Sequence, residues 1–77
     1  MNIFIGNLSK DIDERGLHKI FQPYGLLKTV TLGKDLGTGR MTGCAVVQMF
    51  SYEEGLEAIK CLNNMSFLGK RLMVNKR

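Results

Sequence analysis

The chain has no tryptophan, one proline, one histidine and two cysteines among its 77 residues. None of its apolar runs approaches the roughly 18 residues of a membrane span. Each shortage excludes a class of protein. Cys44 and Cys61 are too few for the disulfide framework of a small secreted scaffold. With His18 as the sole imidazole, no four-ligand zinc site can be assembled from cysteine and histidine. The N-terminal run Met1-Asn2-Ile3-Phe4-Ile5-Gly6 has neither the basic start nor the apolar length of a secretory signal. The triplets beginning at Asn7 and Asn64 match the glycosylation acceptor pattern, but with no export signal they read as chance. The expectation is a soluble intracellular protein, cytoplasmic, or nuclear in a eukaryote. It makes no membrane association and binds no cofactor.

What is present is a small basic chain, with 11 Lys and Arg against 7 Asp and Glu, a formal charge of +4, and 44% hydrophobic residues. A chain of this size buries only about 60% of the surface its unfolded form exposes, so residues 1–77 are expected to form one domain with little room for a deep cleft. Hydrophobic periodicity divides it into six elements. Asn2-Ile3-Phe4-Ile5-Gly6 reads as a strand. Leu17, Ile20, Phe21 and Tyr24 follow the i, i+3, i+4, i+7 spacing of a helix, with Asp13 as N-cap and Pro23 and Gly25 at an irregular exit. Leu27–Leu32 is a strand, followed by a glycine-rich stretch from Gly33 to Gly43 with the composition of a flexible hairpin loop. Cys44–Phe50 is a third strand. Ser51-Tyr52-Glu53-Glu54 has the capping-box pattern, opening a helix with the stripe Gly55, Ala58, Ile59, Leu62 and an end at Asn63-Asn64. A turn around Gly69 precedes a last strand, Lys70–Asn75.

The order β-α-β-β-α-β predicts an α+β, ferredoxin-like sandwich: a four-stranded antiparallel sheet, order 4-1-3-2, with both helices on one face. Each helix has a single stripe to bury, so the other sheet face is left open. Alternation assigns Ile3, Ile5, Val30, Leu32, Ala45, Val47, Met49, Leu72 and Val74 to the helix side. It assigns Asn2, Phe4, Thr29, Thr31, Cys44, Val46, Gln48, Arg71, Met73 and Asn75 to the open face. Phe4, Cys44, Val46 and Met73 then make an apolar platform rimmed by polar and basic groups, and such a patch usually has a partner.

At these residues the chain resembles an RNA recognition motif over essentially its whole length. Ile3-Phe4-Ile5-Gly6-Asn7-Leu8 matches that family's ribonucleoprotein hexamer. Asp35, Thr38, Gly39, Arg40 and Gly43 fall where the family has its loop residues, and Leu62-Asn63-Asn64 through Leu68–Val74 follows its habitual close. The family's octamer, Lys/Arg-Gly-Phe/Tyr-Gly/Ala-Phe-Val-x-Phe/Tyr, falls on Thr42–Met49. There Thr42 replaces the base, Cys44 and Val46 replace two exposed aromatics, and Met49 replaces a core aromatic. Two or three bases stack on such rings in the family, and base stacking is worth about 1–3 kcal/mol each, so the loss of two rings costs ~2–6 kcal/mol of affinity unless something replaces them.

The resemblance implies single-stranded RNA as partner, with single-stranded DNA as a further ligand. Phe4 stacks a base, and Cys44, Val46 and Met73 give apolar support. Arg71, Asn75, Gln48, Asn2 and Thr31 read edges or sugars, and Arg40, Lys76 and Arg77 hold phosphates. The alternative is a protein-interaction or self-association module using the aromatic-poor face. An enzyme is not expected. His18 has no carboxylate or nucleophile partner in its pattern, and the pieces Gly33-Lys34 and Gly37-Thr38-Gly39 lack the Gly-Lys-Ser/Thr and following helix of a phosphate-binding loop. Segments 9–24 and 51–62, which hold the helices, carry a net −2, and the strands and loops carry +6. A modest total therefore conceals a polarised molecule.

Overall fold

Two spacings of apolar residues, two apart in the strands and three or four apart in the helices, lay down two layers around one core. The computed structural model describes residues 1–77. Strand β1 (Asn2–Gly6) is followed by helix α1 (Glu14–Phe21), strands β2 (Leu27–Lys34) and β3 (Met41–Met49), helix α2 (Tyr52–Leu62), and the short strands β4 (Ser66–Phe67), β5 (Lys70–Arg71) and β6 (Met73–Lys76). The four-stranded sheet has the order β2-β3-β1-β6, all antiparallel, which is the expected order with β6 as the fourth strand. The helices cover one face. Ile3, Ile5, Ala45, Val47, Met49 and Val74 of the sheet meet Leu17, Ile20 and Phe21 of α1 and Ala58 and Leu62 of α2 in a core with no buried polar residue. Fully burying a Leu, Ile or Phe contributes about 1.5–3 kcal/mol, so this one layer of contact supplies most of what holds the chain folded.

Both helix starts form as their sequences require. Asp13 Oδ1 accepts the Gly16 N–H at 2.8 Å, and Ser51 Oγ accepts the Glu54 N–H at 3.2 Å. The second half of the capping box does not close: the Glu54 carboxylate lies against Gly25, in space that a Cβ at that position would occupy. Pro23 lacks an N–H and ends α1 in a 3-10 turn, Gln22–Tyr24.

Three boundaries differ from expectation. The glycine-rich stretch is strand at both ends: β2 continues to Lys34 and β3 begins at Met41, leaving a turn over 35–40. That turn is held by side chains, with Asp35 Oδ1 accepting the N–H groups of Gly37 and Thr38 at 2.8 and 2.9 Å. β3 ends at Met49, and Phe50 occupies the bend beyond it. The last strand is split. Arg71 pairs with Ser66 in a separate two-stranded hairpin, Leu72 turns into the core, and only Met73–Lys76 join β1. Leu68 (φ 51°) and Gly69 (φ 79°) form the tip of that hairpin, both with positive φ as a two-residue turn demands. The period of two is unchanged by the break, so Leu72 and Val74 remain buried and Arg71, Met73 and Asn75 exposed.

Candidate nucleic-acid interface

Cross-strand register arranges the open face in rows. The central row runs Asn75, Phe4, Val46, Thr31 across β6, β1, β3 and β2. Asn2, Gln48 and Thr29 form the next row, in which Thr29 Oγ1 donates to Gln48 Oε1 at 3.4 Å. This leaves the Gln48 amide nitrogen free to donate outward. On the other side of Phe4, Met73 pairs with Gly6 and is 55% exposed. Gly6 lets the Phe4 ring lie down, since a Cβ there would meet Phe4 Cε2 at 3.1 Å. Beside the ring, Phe4, Thr31, Gly33, Cys44, Ala45 and Val46 line a shallow apolar hollow of about 120 Å³. Cys44 is a free, half-buried thiol. Phe4, Cys44, Val46, Gln48, Asn2, Thr31, Asn75 and Met73 are thus brought together on one surface. Gly6 was not among the expected residues; its signal was its place two residues after Phe4, on the same face of β1.

The basic residues are distributed less simply. Arg77 follows Asn75 in phase, and its N–H donates to the Asn2 carbonyl at 2.9 Å, which places it at the rim. Arg40 closes the β2–β3 turn: its N–H donates to Thr38 Oγ1 at 3.2 Å and its carbonyl accepts the Asp35 N–H at 2.8 Å. Arg71 lies in the β4–β5 hairpin, outside the four-stranded sheet. Its carbonyl accepts from Asn7 Nδ2 at 2.8 Å, which ties that hairpin to the end of β1. Lys76 is a correction to the expected phosphate-holding rim. Its neighbour across β1 is Ile3, whose side chain is buried under the helices. Lys76 therefore points to the helix layer, where Nζ donates to the Tyr52 hydroxyl at 3.0 Å and sits 4.9 Å from the ring centroid. One residue out of phase with Asn75 was enough to move it to the other side.

The Asp35 carboxyl is held below the usual carboxylate range, chiefly by the Thr38 N–H and then by the Gly37 N–H, so the carboxylate that closes the turn beneath Arg40 stays charged further into acid than a free aspartate. No group of three His, Cys, Asp or Glu side chains is placed to hold a metal ion. No helix is long and apolar enough to cross a membrane.

A family model for the RNA recognition motif matches residues 3–73, and the chain belongs to that family. It is 42% identical over 76 residues to "Putative RNA-binding protein RbpB" of Nostoc sp., an alignment covering 99% of this chain and 74% of that protein. Among solved structures, it resembles the crystal structure of RNA binding protein PG1 with a TM-score of 0.97 and 32% identity, covering 100% of this chain and 93% of the other. It also resembles the Sxl-lethal protein in complex with RNA, with a TM-score of 0.92 and 35% identity over 99% of this chain and 47% of the other.

Proposed function

We propose that residues 1–77 act inside the cell as a binding domain for single-stranded RNA, with the open sheet face as the surface. The observation that carries this is the central row Asn75-Phe4-Val46-Thr31, which sets one aromatic ring among polar edges on the face the helices leave uncovered. Phe4 stacks a base. Cys44, Val46 and Met73 supply apolar contact to sugars and neighbouring bases, and Asn2, Gln48, Thr31 and Asn75 offer donors and acceptors to base edges and 2′-hydroxyls. Arg40, Arg71 and Arg77 hold phosphates. The RNA-bound relative of the same fold supports the reading, and the role is one of binding, not catalysis. Single-stranded DNA shares the base faces and phosphates, so the same face takes it with the 2′-hydroxyl contacts missing.

The test is fluorescence anisotropy with a mixed-sequence RNA oligomer at low salt, comparing wild type with Phe4→Ala. Loss of one stacked ring is expected to weaken binding about fivefold to a hundredfold. Equal binding by the two proteins, or no binding by either, would show that the sheet is not the RNA surface. A second reading has its own support: Cys44 and Val46 stand where rings would be, and Met73 is exposed, so the face could dock an apolar peptide or a second copy. Sedimentation at rising protein concentration separates it, because a dimer broken by Val46→Asp would occupy the RNA face.

A further inference from the structure

The open-face file of β3 runs Cys44, Val46, Gln48, and its period of two continues to Phe50 at the bend where the strand ends. Phe50 is 66% exposed although aromatic, and Leu26, whose carbonyl accepts the Phe50 N–H at 3.4 Å, is 75% exposed. Opposite this bend the register of β2 slips. Leu27 pairs with Met49 and Thr29 with Gln48, so Lys28 is an extra residue in β2 with no partner in β3. Such a bulge re-aims the side chain it carries. Lys28 Nζ lies 6.0 Å from the centroid of the Phe50 ring. That is the outer limit of a cation–π contact, so the ammonium is held loosely and can turn to a phosphate. Arg77 is bonded to Asn2 in the same end of the sheet, adding a second cation.

Resting on the reading of the sheet as an RNA surface, we propose that Phe50 and Lys28 form a further nucleotide site at the end of β3, Phe50 stacking a base and Lys28 binding the adjoining phosphate. The site stands outside the octamer Thr42–Met49 and offsets the rings missing at Cys44 and Val46. Spacing supports one continuous strand of RNA. Phe4 is level with Val46, and Phe50 is four residues further along β3, about 13 Å at the strand rise of roughly 3.3 Å per residue. The Asn2-Gln48-Thr29 row lies between, able to contact the intervening nucleotide. The bulged lysine and the polar row favour a nucleic acid over an apolar protein partner for this patch.

The absence of tryptophan from the chain makes the test direct. Phe4→Trp and Phe50→Trp each introduce a single reporter whose emission a stacked base quenches. Single-stranded RNA oligomers of four and eight nucleotides are titrated into each. The expected result is quenching of both reporters by the eight-nucleotide RNA, and a loss of fivefold or more in its affinity in Phe50→Ala, measured by anisotropy on a protein shown folded by its thermal melt. Quenching at position 4 with none at position 50 overturns the Phe50 site and leaves the sheet reading intact. No quenching at either position overturns the sheet reading itself. A shift in Phe50→Trp emission with protein concentration alone, without RNA, assigns the patch to self-association and also overturns the proposal.

Discussion

Leu68 shows how a single residue carries a cost that its neighbours conceal. It is over half exposed and sits at φ 51°, a region that costs an L-residue with a bulky side chain about 1–2 kcal/mol, while Gly69 beside it takes φ 79° freely. Asparagine tolerates this conformation, so Leu68→Asn is expected to stabilise the protein by about 0.5–1 kcal/mol. In a domain of this length, that raises the melting temperature by several degrees in a calorimetric scan. A lowered melting temperature would show that the Leu68 side chain contributes contact worth more than the strain. Phe4 and Gly6 are the converse case, where a missing Cβ makes room for a ring. The sequence pattern put Phe4 on the open face. That its ring lies over Gly6 depends on side-chain geometry no periodicity encodes.

The β2–β3 connection shows the same division in a whole element. Its glycines suggested a flexible loop, yet Asp35 closes it through bonds from Gly37 and Thr38, and the flanking residues pair as strand. Because the Asp35 carboxyl is depressed in the folded protein, its contribution is fully present above the ordinary unfolded value near 3.9 and is lost as pH falls through the lower folded value. Acid titration followed by the Gly37 and Thr38 amide NMR shifts should therefore give a midpoint below about 3.9. A midpoint at or above that value would mean the turn is open in solution. The last strand was legible only in part. Alternation located Leu72 and Val74 in the core, but the change of partner at Leu72 follows from its N–H donating to Met65 at 2.8 Å and its carbonyl accepting from Asn64 at 2.9 Å, contacts set by how α2 ends.

Across the whole molecule, charge is sorted by layer. The segments containing the helices carry a net −2 and the strands and loops +6; Arg40 and Arg77 lie at the edge of the open face, while Lys76 faces α2 and Lys34 lines a hollow with Asp13 and Glu14 at the start of α1. For single-stranded nucleic acid, the logarithm of affinity falls with the logarithm of salt by about 0.7 per phosphate neutralised. Arg40→Ala and Arg77→Ala are each expected to flatten that slope by about 0.7, whereas Lys60→Ala, on the exposed side of α2, leaves it unchanged. Anisotropy over a range of salt concentrations measures all three. Equal flattening by Lys60→Ala would mean that the layer does not matter and the protein attracts RNA only through its total charge.

Local chemistry reached far in this chain because its signals repeat within a few residues. A side chain two positions on shares a strand face, one three or four on shares a helix face, and Asp13 and Ser51 cap helices through atoms three residues away. Those rules yield the element order, the sheet order, the core and the open face. They also show Cys44 and Val46 standing where the family has rings. Contacts between residues far apart in the chain obey no such period. The row that joins Asn75, Phe4, Val46 and Thr31, the turning of Lys76 to Tyr52, and the bulge that sends Lys28 to Phe50 exist only once four strands are paired in one register. Hydrogen-bond pairing between distant segments, and not the spacing within any one of them, selects that register.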